Sequence, residues 1–131
     1  MVGTVVAELD VHSTRNCYFF SPEQMERLQK EVAVSTVLEP GVYTLKIKSG
    51  VFSYRGLSSH TGEPLVLLWI YGGPFTNQDT GVSVGATWVS LNGYEDAVTI
   101  DVKGQTTVAA FFFDTYLEDN NGELFLTVAK H

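Results

Sequence analysis

The 131-residue chain has one cysteine, eight lysine and arginine residues, three histidines and no long hydrophobic run. A single thiol, Cys17, excludes an intramolecular disulfide and any zinc site built from several thiolates. A lone cysteine of this kind is expected as a small apolar filler of the core. The basic residues form no block and are outnumbered by 15 Asp and Glu, for a formal net charge of −7, which argues against a nucleic-acid partner. A membrane helix needs ~18 or more consecutive apolar residues, and no such run occurs, so no membrane span is expected. The opening MVGTVVAELDVH lacks the basic n-region and long apolar h-region of a signal peptide, which makes a soluble cytoplasmic product the expectation.

Catalytic signals are sparse as well. His12, His60 and His131 are scattered, and none has an acidic partner at helical or strand spacing. Ser58 and Ser59 adjoin His60 but belong to no G-x-S-x-G elbow. The carboxylates gather in a turn instead of flanking a cleft, as a glycosidase pair would. An enzyme is not expected.

What the chain does have is apolar and aromatic material, 44% and 12% of its residues, in a length that suits one domain spanning 1–131. Val2 to Leu9 and Asn16 to Phe20 are rich in β-branched and aromatic residues and read as strands. Then SPEQMERLQK offers Ser21 as a cap, Pro22 at the first helical position and Gln24 three residues past the cap, with Phe20 placed to staple onto Met25. Met25, Leu28 and Val32 keep helical spacing before the β-branched VAVSTV takes over, which predicts a helix of two to three turns.

From Pro40 onward the pattern is β. Tyr43, Leu45 and Ile47 alternate with Thr44, Lys46 and Lys48, as in a half-exposed strand. PLVLLWIY, Pro64 to Tyr71, is apolar on both faces and reads as a central strand covered on both sides. Further strands are expected at Val82 to Leu91, Ala97 to Val102, Thr106 to Asp114 and Glu123 to Ala129, with turns at Asn92-Gly93, Lys103-Gly104 and Asn121-Gly122. The fold class expected is all-β, an antiparallel β-sandwich or jelly roll with one short N-terminal helix. The polar stretches Arg55 to Glu63 and Gly72 to Gly81 read as loops where a ligand can be met. Trp69 and Trp88 lie within strands and read as core, Trp88 being the better stacking platform for a ligand should its face be open.

The last hairpin carries the densest chemistry. In FFFDTYLEDNNGELFLTV, Phe111 to Val128, the residues Asp114, Glu118, Asp119, Asn120 and Asn121 fall between two hydrophobic runs. Several side-chain oxygens in one loop are the ligand chemistry of calcium. An EF-hand is excluded: with Gly122 at the sixth loop position, Leu117 falls first and Val128 twelfth, where acidic ligands are needed. The alternative is an Asx-rich turn, in which Asn and Asp bond their own backbone. Spacing leaves both open.

Four segments resemble, in order, those of soluble bacterial galactophilic lectins of the calcium-bridged type. EPGVYTLKIKSGVFSYRG, Glu39 to Gly56, is similar to the family's NPG, alternating strand and closing S-Y-G. PLVLLWIYGG, Pro64 to Gly73, resembles its A-L-V-x-K-I-G strand, and VSVGATW, Val82 to Trp88, its P-V-x-x-G strand. FFFDTYLEDNNGELFLTV resembles its final calcium hairpin. The resemblance implies a galactose-binding-domain-like sandwich with calcium held by Asp114, Asp119, Asn120 and the carbonyl of Tyr54, and with sugar hydroxyls completing the metal shell. The loop after Tyr54, RGLSSHTGEP, is shorter than the family's and leaves His60 as its candidate sugar contact, beside Asn121 and Tyr116 as further ligand-binding residues. Met1 to Leu38 lies outside the resemblance. The function so implied is calcium-dependent, lectin-like binding of a carbohydrate or glycoconjugate by a protein that can form a homo-oligomer. The alternative is a non-enzymatic structural or protein-interaction sandwich that has lost the sugar site.

Overall fold

The computed structural model describes residues 3–53, 62–114 and 120–131. Residues 3–11 form neither helix nor strand, and their valines and leucine are exposed. This corrects the strand expected there: β-branched residues favour extended dihedrals, but a strand also needs a neighbour to take its N–H and C=O groups. Asn16 to Phe20 forms no strand either. Residues 13–16 are a turn closed by the Asn16 N–H donating to the His12 carbonyl at 3.0 Å, with the His12 N–H donating to Asn16 Oδ1 at 2.9 Å. Cys17, expected in the core, is exposed because this whole segment lies outside it.

Helix α1, Pro22–Arg27, starts with the full capping box. The Gln24 N–H donates to Ser21 Oγ at 3.1 Å and the Ser21 N–H to Gln24 Oε1 at 2.8 Å, so two otherwise orphaned donors are satisfied. The helix widens into a π turn over Leu28–Val32 and stops at Ala33, which is extended. Lys30 pairs with Glu26 at 2.8 Å and Arg27 with Glu31 at 3.6 Å on its solvent side. A hydrogen bond of 2.9 Å from Trp69 Nε1 to Gln29 Oε1 ties this element to the sheet.

Seven strands among the described residues make one antiparallel, curled sheet. They are β1 Val34–Leu38, β2 Gly41–Gly50, β3 Leu65–Asn77, β4 Val82–Asn92, β5 Ala97–Val102, β6 Thr106–Phe111 and β7 Leu124–Lys130. The stretch Gly72 to Asn77, read as loop, belongs to β3, because the strand continues through an irregularity between Tyr71 and Phe75. That irregularity organises the sheet. Before it, β3 pairs β6 through Leu67–Tyr71; after it, β3 pairs β5 through Phe75–Asn77. β4 follows β3 along both halves. One leaf is therefore β4-β3-β6-β1 and the other β4-β3-β5-β2-β7, and the shared β3–β4 hairpin turns the corner between them.

The core lies in the fold of this curl. Tyr43, Leu45 and Ile47 from β2 and Val98, Ile100 and Val102 from β5 meet Val66, Leu68 and Ile70 from β3 in one buried cluster with Leu91 and Val108. The alternation expected for β2 is met, its inward residues being buried. The other face of β3 is covered in part: Trp69 lies against Trp88 and Tyr71, and the π turn reaches it through Gln29. β6 is covered on both faces, with Thr106 and Val108 buried on one side and Ala109 and Phe111 on the other. Thr106 is fully buried yet satisfied, its hydroxyl donating to the Gly104 carbonyl at 2.8 Å. Among the described residues, no helix is long and apolar enough to cross a membrane.

Ile100 has no exposed surface and sits where β5 faces both leaves. Truncation by Ile100→Ala removes buried methylenes and leaves a cavity, so the expected loss is about 2–5 kcal/mol, measured as a fall in urea midpoint with an unchanged slope.

Candidate functional site

Three chain segments meet at one end of the curl. The first leaves β2: Val51, Phe52 and Ser53 stay extended after Gly50. Phe52 exchanges backbone hydrogen bonds with Glu63 at 2.8 and 3.0 Å, and Ser53 does so with Asn121 at 2.9 and 3.1 Å. Neighbouring residues of one extended segment aim their backbone groups to opposite sides, so this short stretch is gripped from both. The second segment is Phe112–Asp114 beyond β6, held by the stack of Phe112 on Phe52 with ring centroids 4.0 Å apart and planes 9° from parallel. The third, Asn120–Gly122, leads into β7.

Two glycines permit this approach. Gly50 has φ +96°, and a Cβ there would run into the Glu123 carbonyl and the Leu124 backbone. Gly122 has φ +94°, and a Cβ there would run into the Val51 carbonyl. The strand of the second segment stops earlier than expected: β6 ends at Phe111, so Asp114 lies in a connection, three residues past the last ladder bond. The Phe112 ring turns inward to Phe52 there, which carries the chain off the sheet.

Of the residues singled out from the sequence, Asp114, Asn120 and Asn121 are brought to this end of the fold. Tyr54, His60, Tyr116 and Asp119 lie outside the described residues. Asn120 Oδ1 is buried and accepts no hydrogen bond among the described residues, and Asp114 Oδ2 is buried too. A buried amide oxygen is costly without a donor or a cation. Asn121 contributes its backbone to the bridge with Ser53. The described residues contain no group of three His, Cys, Asp or Glu side chains placed to hold a metal. A shell of amide, carboxylate and backbone oxygens is a different donor set, the one hard cations take.

Beside Asp114 runs a groove of about 570 Å³ between the helix and the outer face of the first leaf, walled by Phe20, Leu28, Trp88, Phe113 and Asp114. Trp88, expected in the core, is 46% exposed and forms the floor, with Trp69 at 4.3 Å behind it and Phe20 at 6.0 Å to its side. Phe20 also meets the Phe113 ring at 5.9 Å. The sequence reading missed Phe20, Phe113 and Ser53 as members of this region. The run of three phenylalanines ahead of Asp114 was the available signal, since successive rings of an extended run face opposite sides and one of them must leave the core.

Gly122→Ala is expected to cost about 1–3 kcal/mol, from a left-handed dihedral and the collision with Val51. Gly85→Ala has open space and no left-handed dihedral, so its thermal midpoint should stay near that of the parent. Equal midpoints for the two variants would mean that the hairpin does not press on Val51.

Compared with protein-family models, curated proteins and solved structures, the chain finds no match in any of the three.

Proposed function

We propose that the chain is a calcium-dependent carbohydrate-binding protein, with a binding role and no catalytic one. The observation that carries this reading is the backbone bridge between Ser53 and Asn121, next to the buried oxygen of Asn120, which accepts no hydrogen bond among the described residues. The bridge supports the resemblance in one particular: it puts the residue that precedes Tyr54 against the residue that follows Asn120. The available donors fit calcium, being an Asn120 amide oxygen and an Asp114 carboxylate, with Asp119 and the Tyr54 carbonyl assigned by the resemblance.

In this reading the cation supplies a hard, oxygen-seeking centre whose open positions take vicinal hydroxyls. Asp114 balances its charge and Asn120 orients it. The Trp88 floor of the adjacent groove offers an apolar ring face on which the less polar side of a sugar ring can rest. The negative net charge of the chain favours cation uptake at low ionic strength.

The test is a thermal melt with calcium and with EDTA, followed by a glycan array in both conditions. Calcium at ~100 times its dissociation constant adds about 2.7 kcal/mol, or roughly 10 °C for a domain of this length. Asn120→Ala and Asp114→Ala should abolish the rise, whereas Trp88→Ala should keep it and weaken glycan binding. No difference between calcium and EDTA removes the cation. A calcium rise with a silent array leaves a structural cation and removes the sugar.

A further inference from the structure

The curled sheet has two edges that face one another across an open cleft. Among the described residues β1 pairs only β6 and β7 pairs only β2, so each presents a row of backbone groups with no strand opposite. Between them lies an apolar cleft of about 390 Å³, lined by Val34 and Thr36 of β1, Val108 and Ala110 of β6, and Leu126 and Val128 of β7. The β1 edge is unguarded. Its sequence VSTVL has no charge and no proline, its residues have high β propensity, and Val34 is 75% exposed. Edges of that composition are avoided in soluble chains unless something covers them.

The same chain holds a segment with the complementary character. Residues 3–11 belong to no helix or strand and make no hydrogen bond to the rest of the described chain; Val6 is 94% and Leu9 87% exposed. Val5, Ala7, Leu9 and Val11 fall on one side of an extended chain and Thr4, Val6, Glu8 and Asp10 on the other, so one side is wholly apolar. Nine extended residues reach ~30 Å, against ~16 Å for the five residues of β1, which leaves length for a linker. The arm is followed by the His12–Asn16 turn, and among the described residues it pairs with no strand.

We propose that the N-terminal arm, residues 3–12, of a second copy of this chain adds as an antiparallel or parallel strand to the β1 edge, with Val5, Ala7, Leu9 and Val11 filling the cleft toward β7. Backbone hydrogen bonds to β1 provide the affinity and the apolar side chains set the register. Reciprocal exchange closes a two-fold dimer, in which both copies lose an exposed edge and an exposed arm at once. This surface is separate from Asp114 and Asn120, and its occupancy is independent of the cation.

The test is the molar mass of the intact chain in reducing buffer, which keeps the exposed Cys17 from cross-linking copies. Light scattering should give twice 14.4 kDa for the parent. Leu9→Glu, on the arm, and Val34→Glu, on the receiving edge, should each halve that mass with an unchanged circular dichroism spectrum, since both side chains are exposed in the single copy. A labelled peptide with the sequence of residues 3–12 should bind saturably to the Leu9→Glu protein and fail on Val34→Glu. A parent that is monomeric at tens of micromolar overturns the proposal, as does a dimer that survives both substitutions. A monomer whose arm amides are protected from exchange assigns the cleft to the chain's own arm and overturns it equally.

Discussion

The bend in β3 between Tyr71 and Phe75 is the constraint from which the rest of the architecture follows. A strand of 13 residues cannot run straight and still serve both leaves; its first half takes β6 as neighbour and its second half β5. Once the bend is made, the inward faces of β2 and β5 oppose those of β3 and β6. Val66, Leu68 and Ile70 then share one core with Leu45, Ile47 and Ile100. The hydrophobic effect supplies the energy, but the bend decides which side chains can pool it. β4 reinforces the corner because it pairs β3 on both sides of the irregularity.

The two ends of the curled sheet differ. At one end the exit of β2 and the entry to β7 lie side by side through their antiparallel pairing, and Gly50 and Gly122 let the backbones there approach with no side chain between them. The Phe52–Phe112 stack then seals the core just below the polar tip. Asn120 Oδ1 is buried at that tip. At the open side, the same curl leaves β1 and β7 facing each other without a strand between them. The proposed cation tip thus follows from the β2–β7 ladder, and the proposed arm cleft from the bend.

The helix is bound to this scheme less by burial than by pairing with aromatics. Neither α1 nor the π turn has a buried residue, and the hydrogen bond of Gln29 to Trp69 joins it to the outer face of β3. Trp88 consequently stays open in a groove, where a buried tryptophan was expected. Its half-covered face is a packing outcome of a helix that stands on one wall of the leaf.

Local patterns in the chain determined what local physics can determine. Period-two alternation marked β2, Asn92-Gly93 and Lys103-Gly104 marked the turns on either side of β5, and Ser21 with Gln24 marked the helix start, since each depends on neighbours a few residues away. The crowding of Asp and Asn before Gly122 was equally legible. The stretch Val2 to Leu9 read as a strand because its dihedral preferences are those of a strand; whether a partner stands beside it is a matter of distant chain. The same holds for the extension of β3 through Gly72 to Asn77, for the exposure of Cys17 and Trp88, and for the meeting of Ser53 with Asn121. Each depends on which strands pair and pack in the assembled sheet, a property of all seven strands together that no local pattern carries.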